Sequence, residues 1–278
     1  MYCTVQEVYD ATKLTTSEVD TGAVKAAIIA AEKRLDRKTF TTYWNVEDSG
    51  TATAGGATTL TDTGQFNNDD FTTRSHYVWI YGGTGSGQVR KIISHDDDTL
   101  TVATWTTNPD TDSTYRVIYT ATDPYYNSGD EILLDGDGAK VMFLDEYPIR
   151  LLESLKIDAT TVTTTEVFKW PKTGKLELKS TAETTVFSDR TPQLIDIDYW
   201  WGVYPFDELA KRYVIVTAGL MTLATQMGGT HNIPSTYAFP EGSVTIGQAY
   251  INIKTTWDVL AREHIMLEKD LIRYPKIV

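Results

Sequence analysis

The sequence predicts an α+β protein with a helical core, an antiparallel β layer and an inserted small β-barrel or sandwich domain. Helical patterns lie near both ends of the chain, at 21–38, 205–227 and 256–274. Between them, short alternating runs separated by Gly- and Asp-rich turns indicate strands. We therefore expect the terminal helices to meet in one core and the middle of the chain to fold as sheets.

Capping and spacing predict the first two helices. Residues 4–7 are predicted to form a capping box. In it the Thr4 hydroxyl accepts a hydrogen bond from the Glu7 amide, and the Glu7 carboxylate accepts one from the Thr4 amide. From 21 to 38, apolar residues recur at helical spacing, and cations crowd the end of the segment, where they suit the helix dipole. Both segments belong to the predicted helical core.

The β part is predicted in two segments. The first, at about 48–119, is rich in Thr, Gly and Asp, and its short, regularly spaced strands favour a small barrel or sandwich. The second, at about 131–201, forms the predicted β layer. The candidate strands are 77–81, 88–93, 100–103, 115–118, 140–144, 152–157, 166–170, 175–179 and 194–199.

The last part of the chain is predicted to return to helix. Pro205 suits a first helical position, and the segment 205–227 is apolar on most faces, which is typical of a buried helix. An extended stretch at 230–248 precedes the last helix. The predicted organisation is therefore 1–48 helical, 49–119 an inserted β domain, 120–204 the β layer, and 205–278 helix, extended arm and helix.

Charge and composition exclude several classes of protein. The chain has 38 acidic against 25 basic side chains, a net charge of −13, so tight binding to DNA phosphates is not expected. A saline habitat is the alternative explanation of the acidity. No apolar run approaches a membrane span and the first residues lack a signal-peptide pattern, which predicts a soluble protein. The single cysteine, Cys3, excludes an internal disulfide.

Motifs that could carry chemistry are weak. The Gly-rich segment 82–87 lacks the Lys-Ser/Thr ending of a phosphate loop, and a strand follows it, so a hairpin loop is the better interpretation. The acidic segments 95–98 and 135–138 lack the spacing of a calcium loop and are interpreted as turns. The four histidines, His76, His95, His231 and His264, show no metal spacing. A glycosidase-type carboxylate pair stays open, but no pair stands out. We therefore expect no enzyme, no cofactor and no metal site.

In its helical ends and its second β segment, the chain resembles the head–tail connector (adaptor) family of long-tailed phages. The first helical segments end in Arg37-Lys38-Thr39-Phe40, similar to a Thr-x-Arg-x-Phe ending, and strands flank a Pro148-Ile149 pair. The first β segment resembles small β domains found in phage structural proteins. The residues that carry the family resemblance are 3–8, 26–40, 134–138, 144–149, 155–158, 174–178, 195–202 and 205–210.

The resemblance implies a structural virion protein, assembled in the host cytoplasm and located at the head–tail junction. It implies a dodecameric ring beneath the portal protein that extends the DNA channel and attaches a tail completion or stopper protein. DNA would pass without tight binding, and no membrane is involved. The resemblance also favours docking of the C-terminal helix and tail on the portal, against the alternative of a frayed tail. The expected portal contacts are Leu267, Leu271, Tyr274 and Ile277.

Tryptophans next to strand ends suggest an interaction role. Trp170, Trp200 and Trp201 are predicted in the core or at a subunit interface, with a sugar-binding platform as the alternative. A carbohydrate- or receptor-binding virion module is thus the second functional hypothesis, and it would use Trp79, Trp105 or Trp200. The apolar helix at 205–227 argues against it, since a β binding module has no need of such a helix.

Overall fold

The structure, a computed structural model, divides into a helical unit and a β unit. The helical unit combines Met1–Thr39 with the later part of the chain that begins at Phe206, and the β unit spans Phe40–Pro205. None of the helices in the described ranges is long and apolar enough to cross a membrane. The structure describes residues 1–66, 71, 75–127, 133–182, 184–190, 194–226, 236–239, 242–245 and 248–272.

The first two helices form as predicted. Helix α1, Val5–Thr12, begins with the capping box: the Glu7 amide donates to Thr4 Oγ1 at 3.2 Å and the Thr4 amide donates to Glu7 Oε2 at 2.8 Å. Helix α2, Thr21–Thr39, ends one residue beyond the predicted segment. Its buried stripe contains Val24, Ile28, Ala31 and Leu35, which lie three to four residues apart.

The two later helices exist, but they start elsewhere than predicted. Helix α3, Glu208–Gln226, begins after Asp207 and not at Pro205, because the Asp207 carboxylate accepts a hydrogen bond from the Leu209 amide at 3.0 Å. Helix α4, Gln248–Ile272, starts eight residues before the predicted 256. Tyr250 and Ile253 continue the spacing of Trp257 and Leu260, so the apolar pattern extends into the first turns of the helix and the predicted start is too late. Part of the stretch predicted as extended forms the strand pair β15, Thr236–Phe239, and β16, Gly242–Thr245.

Helix α3 is the centre of the helical unit. It packs against α1, α2 and α4, and its buried residues lie on several faces, as its sequence predicts. The first residues of the chain are fixed to α2 through buried carboxylates: the Tyr2 amide donates to Glu32 Oε1 at 2.6 Å, and the Tyr2 hydroxyl lies 3.3 Å from Asp36 Oδ1. The terminal parts of the chain therefore share one core.

Seven antiparallel strands form the first sheet of the β unit, in the order β1-β7-β4-β5-β6-β3-β2. Four of them match predicted strands to within two residues. One face buries a core that includes Leu60, Val78, Leu100 and Tyr115. The strands are β1 Asn45–Thr51, β2 Ala54–Gly55, β3 Thr59–Thr61, β4 His76–Gly82, β5 Val89–His95, β6 Thr99–Val102 and β7 Thr114–Tyr119.

The predicted barrel is not found. Register shifts in β1, β4 and β5 bend the sheet, but no hydrogen-bonded pairing between the edge strands β1 and β2 closes it within the described residues. The edge strand β2 is only two residues long, and the Pro109 backbone approaches Gly55 so closely that a Cβ there would lie 2.2 Å from the Pro109 carbonyl oxygen. A loop, and not another strand, therefore covers this edge.

Two smaller antiparallel sheets follow and complete the α+β class, which is confirmed. One has the order β11-β10-β14-β8 and the other the order β12-β13-β9. They bury a core that includes Leu155, Leu176, Phe187 and Ile197. The strands are β8 Tyr125–Asn127, β9 Val141–Phe143, β10 Ile149–Ile157, β11 Thr160–Thr161, β12 Val167–Trp170, β13 Lys175–Leu178 and β14 Ile195–Trp201.

One aromatic-rich cluster crosses the predicted domain boundaries. It contains Trp44 from before β1, Tyr77 from β4, Ile118 from β7 and Trp200 from β14. Strand β1 itself begins at Asn45, before the predicted boundary at 48/49, and pairs with β7. The β segments on both sides of residue 119 thus share a hydrophobic cluster, while the division into an insert at 49–119 and a layer at 120–204 stays a prediction.

Gly202 is required by close backbone packing. Its φ of +130° lies in the region that favours glycine, and a Cβ there would lie 2.6 Å from Trp44 Nε1. The same indole nitrogen donates a hydrogen bond to the Trp201 carbonyl oxygen at 2.9 Å. A side chain at position 202 would therefore strain the backbone and displace the indole of a fully buried tryptophan.

We predict that Gly202→Ala lowers the free energy of unfolding by about 2 kcal/mol or more. The backbone strain at position 202 and the displacement of the buried Trp44 indole both destabilise the folded chain. Urea unfolding followed by tryptophan fluorescence measures the change. Gly56→Ala is the control, because its Cβ would meet only the Thr59 hydroxyl, which can rotate away. Equal unfolding midpoints for the two variants would contradict the prediction.

Candidate interaction surfaces

One face of the three-stranded sheet exposes large aromatic side chains. Trp170, Lys175 and Phe143 lie opposite one another across β12, β13 and β9, and Phe168 pairs with Glu177 in the next row. The side chains of Phe143, Phe168 and Trp170 are 65, 49 and 40% exposed. A solvated sheet face normally carries polar residues, so this one is unusual.

Lysines lie over two of these rings. Lys175 Nζ is 4.1 Å from the centre of the Trp170 ring, and Lys179 Nζ is 4.8 Å from the centre of the Phe168 ring. Lys175 also contacts Glu177 Oε2 at 3.0 Å. We call the surface formed by Phe143, Phe168, Trp170, Lys175 and Lys179 the basic–aromatic face.

The local charge of this hairpin opposes that of the whole chain. Residues 166–179 contain Lys169, Lys172, Lys175 and Lys179 against Glu166 and Glu177, a balance of 4 − 2 = +2. The whole chain has a net charge of −13. Val167, Leu176 and Leu178 lie in the core, and Phe168 and Trp170 lie on the other side of the hairpin.

A second surface is an open groove between α3 and α4 in the helical unit, with a volume of about 380 Å³. We call it the helix groove. Ile265 in its wall is 56% exposed, and Val259 and Met266, on a neighbouring side of α4, are 59 and 61% exposed. The groove is lined by Arg34, Thr217, Leu220, Met221, Ala224, Trp257, Ala261, His264 and Ile265.

Ion pairs and two buried leucines hold α4 in place. Arg212 donates to Glu263 through Nε at 2.6 Å and through its terminal nitrogen at 2.8 Å, which joins α3 to α4. Lys38 of α2 bonds to Glu268, and Leu260 and Leu267 are buried. The inner side of α4 therefore packs against the other helices, and the exposed apolar residues of α4 lie on its other sides.

His264 forms the floor of the helix groove. Its side chain is only 8% exposed, and its ring centre lies 5.1 Å from that of Tyr213. Burial lowers the pKa of His264 below its ordinary value, and the nearby cations Arg34 and Lys38 act in the same direction. Glu268, 3.7 Å away, opposes the shift without reversing it.

A third cluster, which the sequence did not single out, surrounds Arg116. Its guanidinium carbon is 4.1 Å from the centre of the Tyr81 ring and 5.5 Å from that of Trp79. Arg116 Nη1 donates a hydrogen bond to the Tyr204 hydroxyl. Arg150 donates to the Gly202 and Tyr204 carbonyl oxygens at 2.6 and 2.7 Å, and burial lowers its pKa. These arginines fix the segment after β14, which is a structural use.

The residues predicted for the portal contact lie at the end of α4 or beyond it. Leu267 is 8% exposed and packs within the helical unit, and Leu271 is partly buried. Tyr274 and Ile277 lie outside the described residues. Within the described part, the strongest apolar exposure on α4 is at Val259, Ile265 and Met266 instead.

The three tryptophans predicted at a subunit interface differ in exposure. Trp170 is on the basic–aromatic face, whereas Trp200 and Trp201 are 4 and 7% exposed because they pack within the β unit. Little of their surface is left for another subunit or a sugar. Trp105 is buried as well, so Trp79 and Trp170 alone remain for the sugar-binding alternative.

Two of the described histidines, His76 and His95, both contact Phe71, and their ring centres lie 5.3 and 5.4 Å from that of Phe71. His76 contacts Glu47 Oε2 at 2.8 Å and the Phe71 carbonyl oxygen at 3.1 Å, His95 lies on β5, and His264 lies in the helix groove. His231 lies outside the described residues. Burial raises the pKa of the Cys3 thiol to about 12, so it stays protonated. No group of three or more His, Cys, Asp or Glu side chains fit to hold a metal is found among the described residues.

Comparison with known proteins gives no family for the chain. No protein-family model matches it, and no curated protein matches it.

The state of His264 leads to a prediction about acid stability. Its pKa is lowered in the folded chain, so below about pH 6.5 the unfolded chain binds a proton that the folded chain does not. Stability therefore falls as the pH drops from about 7.5 to about 5.5. Glu268, whose pKa is also lowered, contributes only nearer its ordinary value of 4.5.

Urea unfolding at the two pH values measures this loss. His264→Phe removes the titrating group and should show a smaller loss than wild type, while His95→Phe keeps His264 and serves as the control. An unchanged loss in His264→Phe would contradict the assignment.

Proposed function

We propose that this chain is a structural virion protein, the subunit of a ring-forming head–tail connector of a tailed virus. The observation that carries the proposal is the helix groove, with the exposed Ile265 in its wall. A monomer rarely leaves such an apolar surface open, and larger exposed patches usually mark contact with another protein. In this proposal the groove receives a neighbouring copy in the ring.

The resemblance of residues 1–45 and 130–227 to connector proteins supports the proposal that the ring is a head–tail connector. The acidic charge supports its task, because a channel through which DNA slides must not hold phosphates tightly. The ring would lie beneath the portal, with the end of α4 and the tail docked on the portal, and would offer its other end to a stopper or tail completion protein. The protein would act by packing and not by catalysis.

Electron microscopy and mass photometry of the purified chain test the proposal. We expect closed rings of uniform size, and a strictly monomeric protein absent from the head–tail junction of virions would overturn the proposal. Binding of the ring to the purified portal protein would distinguish a connector from a ring-forming protein with another role.

A pair of variants tests the role of the groove. Ile265→Glu places a charge in its apolar wall and should weaken assembly by at least about tenfold in the dissociation constant, about 1.4 kcal/mol. Val259→Glu is the matched control, since Val259 has similar exposure on the same helix but does not line the groove. Both residues are exposed, so both variants should fold. Equal assembly of the two variants would contradict the role of the groove.

A further inference from the structure

We propose that the basic–aromatic face is a second subunit contact and that its occupant is an acidic, partly apolar surface of another copy of this chain. The inference rests on the proposed ring, and it names the chemistry of a contact that the ring requires. In a ring of more than two subunits, each contact joins two different surfaces of the same chain. A basic surface on one side thus calls for an acidic one on the other.

The aromatic side chains supply the apolar part of the contact. Phe143, Phe168 and Trp170 lie on one side of the same sheet and are all at least 40% exposed. The ladders between β12, β13 and β9 fix the backbone of these residues, so little backbone freedom is lost on binding. Exposed aromatic residues on a rigid element are typical anchors of protein interfaces.

The lysines define the charge of the partner. Lys175 and Lys179 lie over the aromatic rings, and Lys169 and Lys172 are exposed on the same hairpin. Among these four, Lys175 forms an ion pair with Glu177. The hairpin is positive while the chain as a whole has 13 more acidic than basic side chains. Another copy of the chain is therefore a partner of complementary charge.

The details favour a protein over a single-stranded nucleic acid. Nucleic-acid platforms leave ring faces open for bases to stack on. Here an ammonium group lies over one face of Trp170 and another over one face of Phe168. Glu177 lies in the central strand, in the same row as Phe168, and would repel a phosphate. A carboxylate-bearing protein surface can approach the lysines from the edge of the face and still cover the rings.

The test uses charge reversal in the full chain. Lys175→Glu with Lys179→Glu changes the net charge by −4 and reverses the face, and Lys25→Glu with Lys33→Glu makes the same change at exposed sites of α2. Assembly is measured by mass photometry and sedimentation at about 0.05 and about 0.5 M salt. We expect wild type and control to form rings that weaken with salt. The reversed face should raise the apparent dissociation constant by at least about tenfold.

Phe168→Ala with Trp170→Ala tests the apolar part without a change of charge, and urea unfolding verifies that each variant folds. We expect it to weaken assembly by a similar factor. Rings of wild-type strength in both face variants would overturn this inference and leave the proposed ring standing. A monomeric wild type would overturn both.

A final arm uses a fluorescent oligo-dT as the nucleic-acid probe. Binding to wild type that is lost in the Lys175→Glu, Lys179→Glu variant would overturn the inference in favour of a nucleic-acid partner. Absence of binding, together with the assembly defect, supports the subunit contact.

Discussion

The burial of α3 is the constraint on which the helical unit depends. A helix that is apolar on most faces needs neighbours on several sides, and no single partner covers it. Helices α1 and α2 come from the beginning of the chain and α4 from its end, so burying α3 brings the terminal segments together. The same arrangement uses only the inner side of α4, which explains why Ile265 and Met266 remain exposed.

In the β unit, the corresponding constraint is the alternation of buried and exposed side chains along a strand. In β13 every second residue, Leu176 and Leu178, lies in the core, and β12 contributes Val167. The other side is free of this constraint, yet it carries Phe168 and Trp170. Packing of the chain itself does not explain those two aromatic residues, so an interaction with another molecule is the physical reason we favour.

Sequence reasoning predicted what depends on local patterns. The capping box at Thr4, the extent of α2 and most strands follow from spacing and turn chemistry. The first turns of α4 were missed although Tyr250 and Ile253 continue its periodic stripe, because the preceding stretch was interpreted as extended. Of the predicted barrel or sandwich, no closed barrel is found within the described residues, because closure depends on how two sheet edges meet in space. The local sequence pattern also could not predict which tryptophans are exposed. Trp170 and Trp200 both lie at or near the end of a strand, but the tertiary structure exposes Trp170 and buries Trp200.

The two candidate surfaces differ in the physics of association. The helix groove is apolar, so its contribution grows with buried area and changes little with salt. The basic–aromatic face adds lysines to aromatic rings in a chain of strongly negative charge, so its contribution includes attraction that salt screens. An acidic subunit repels its copies at long range. In the proposed ring, a local positive surface would offset that repulsion where two copies meet, and the rest of the surface would stay unattractive to DNA phosphates.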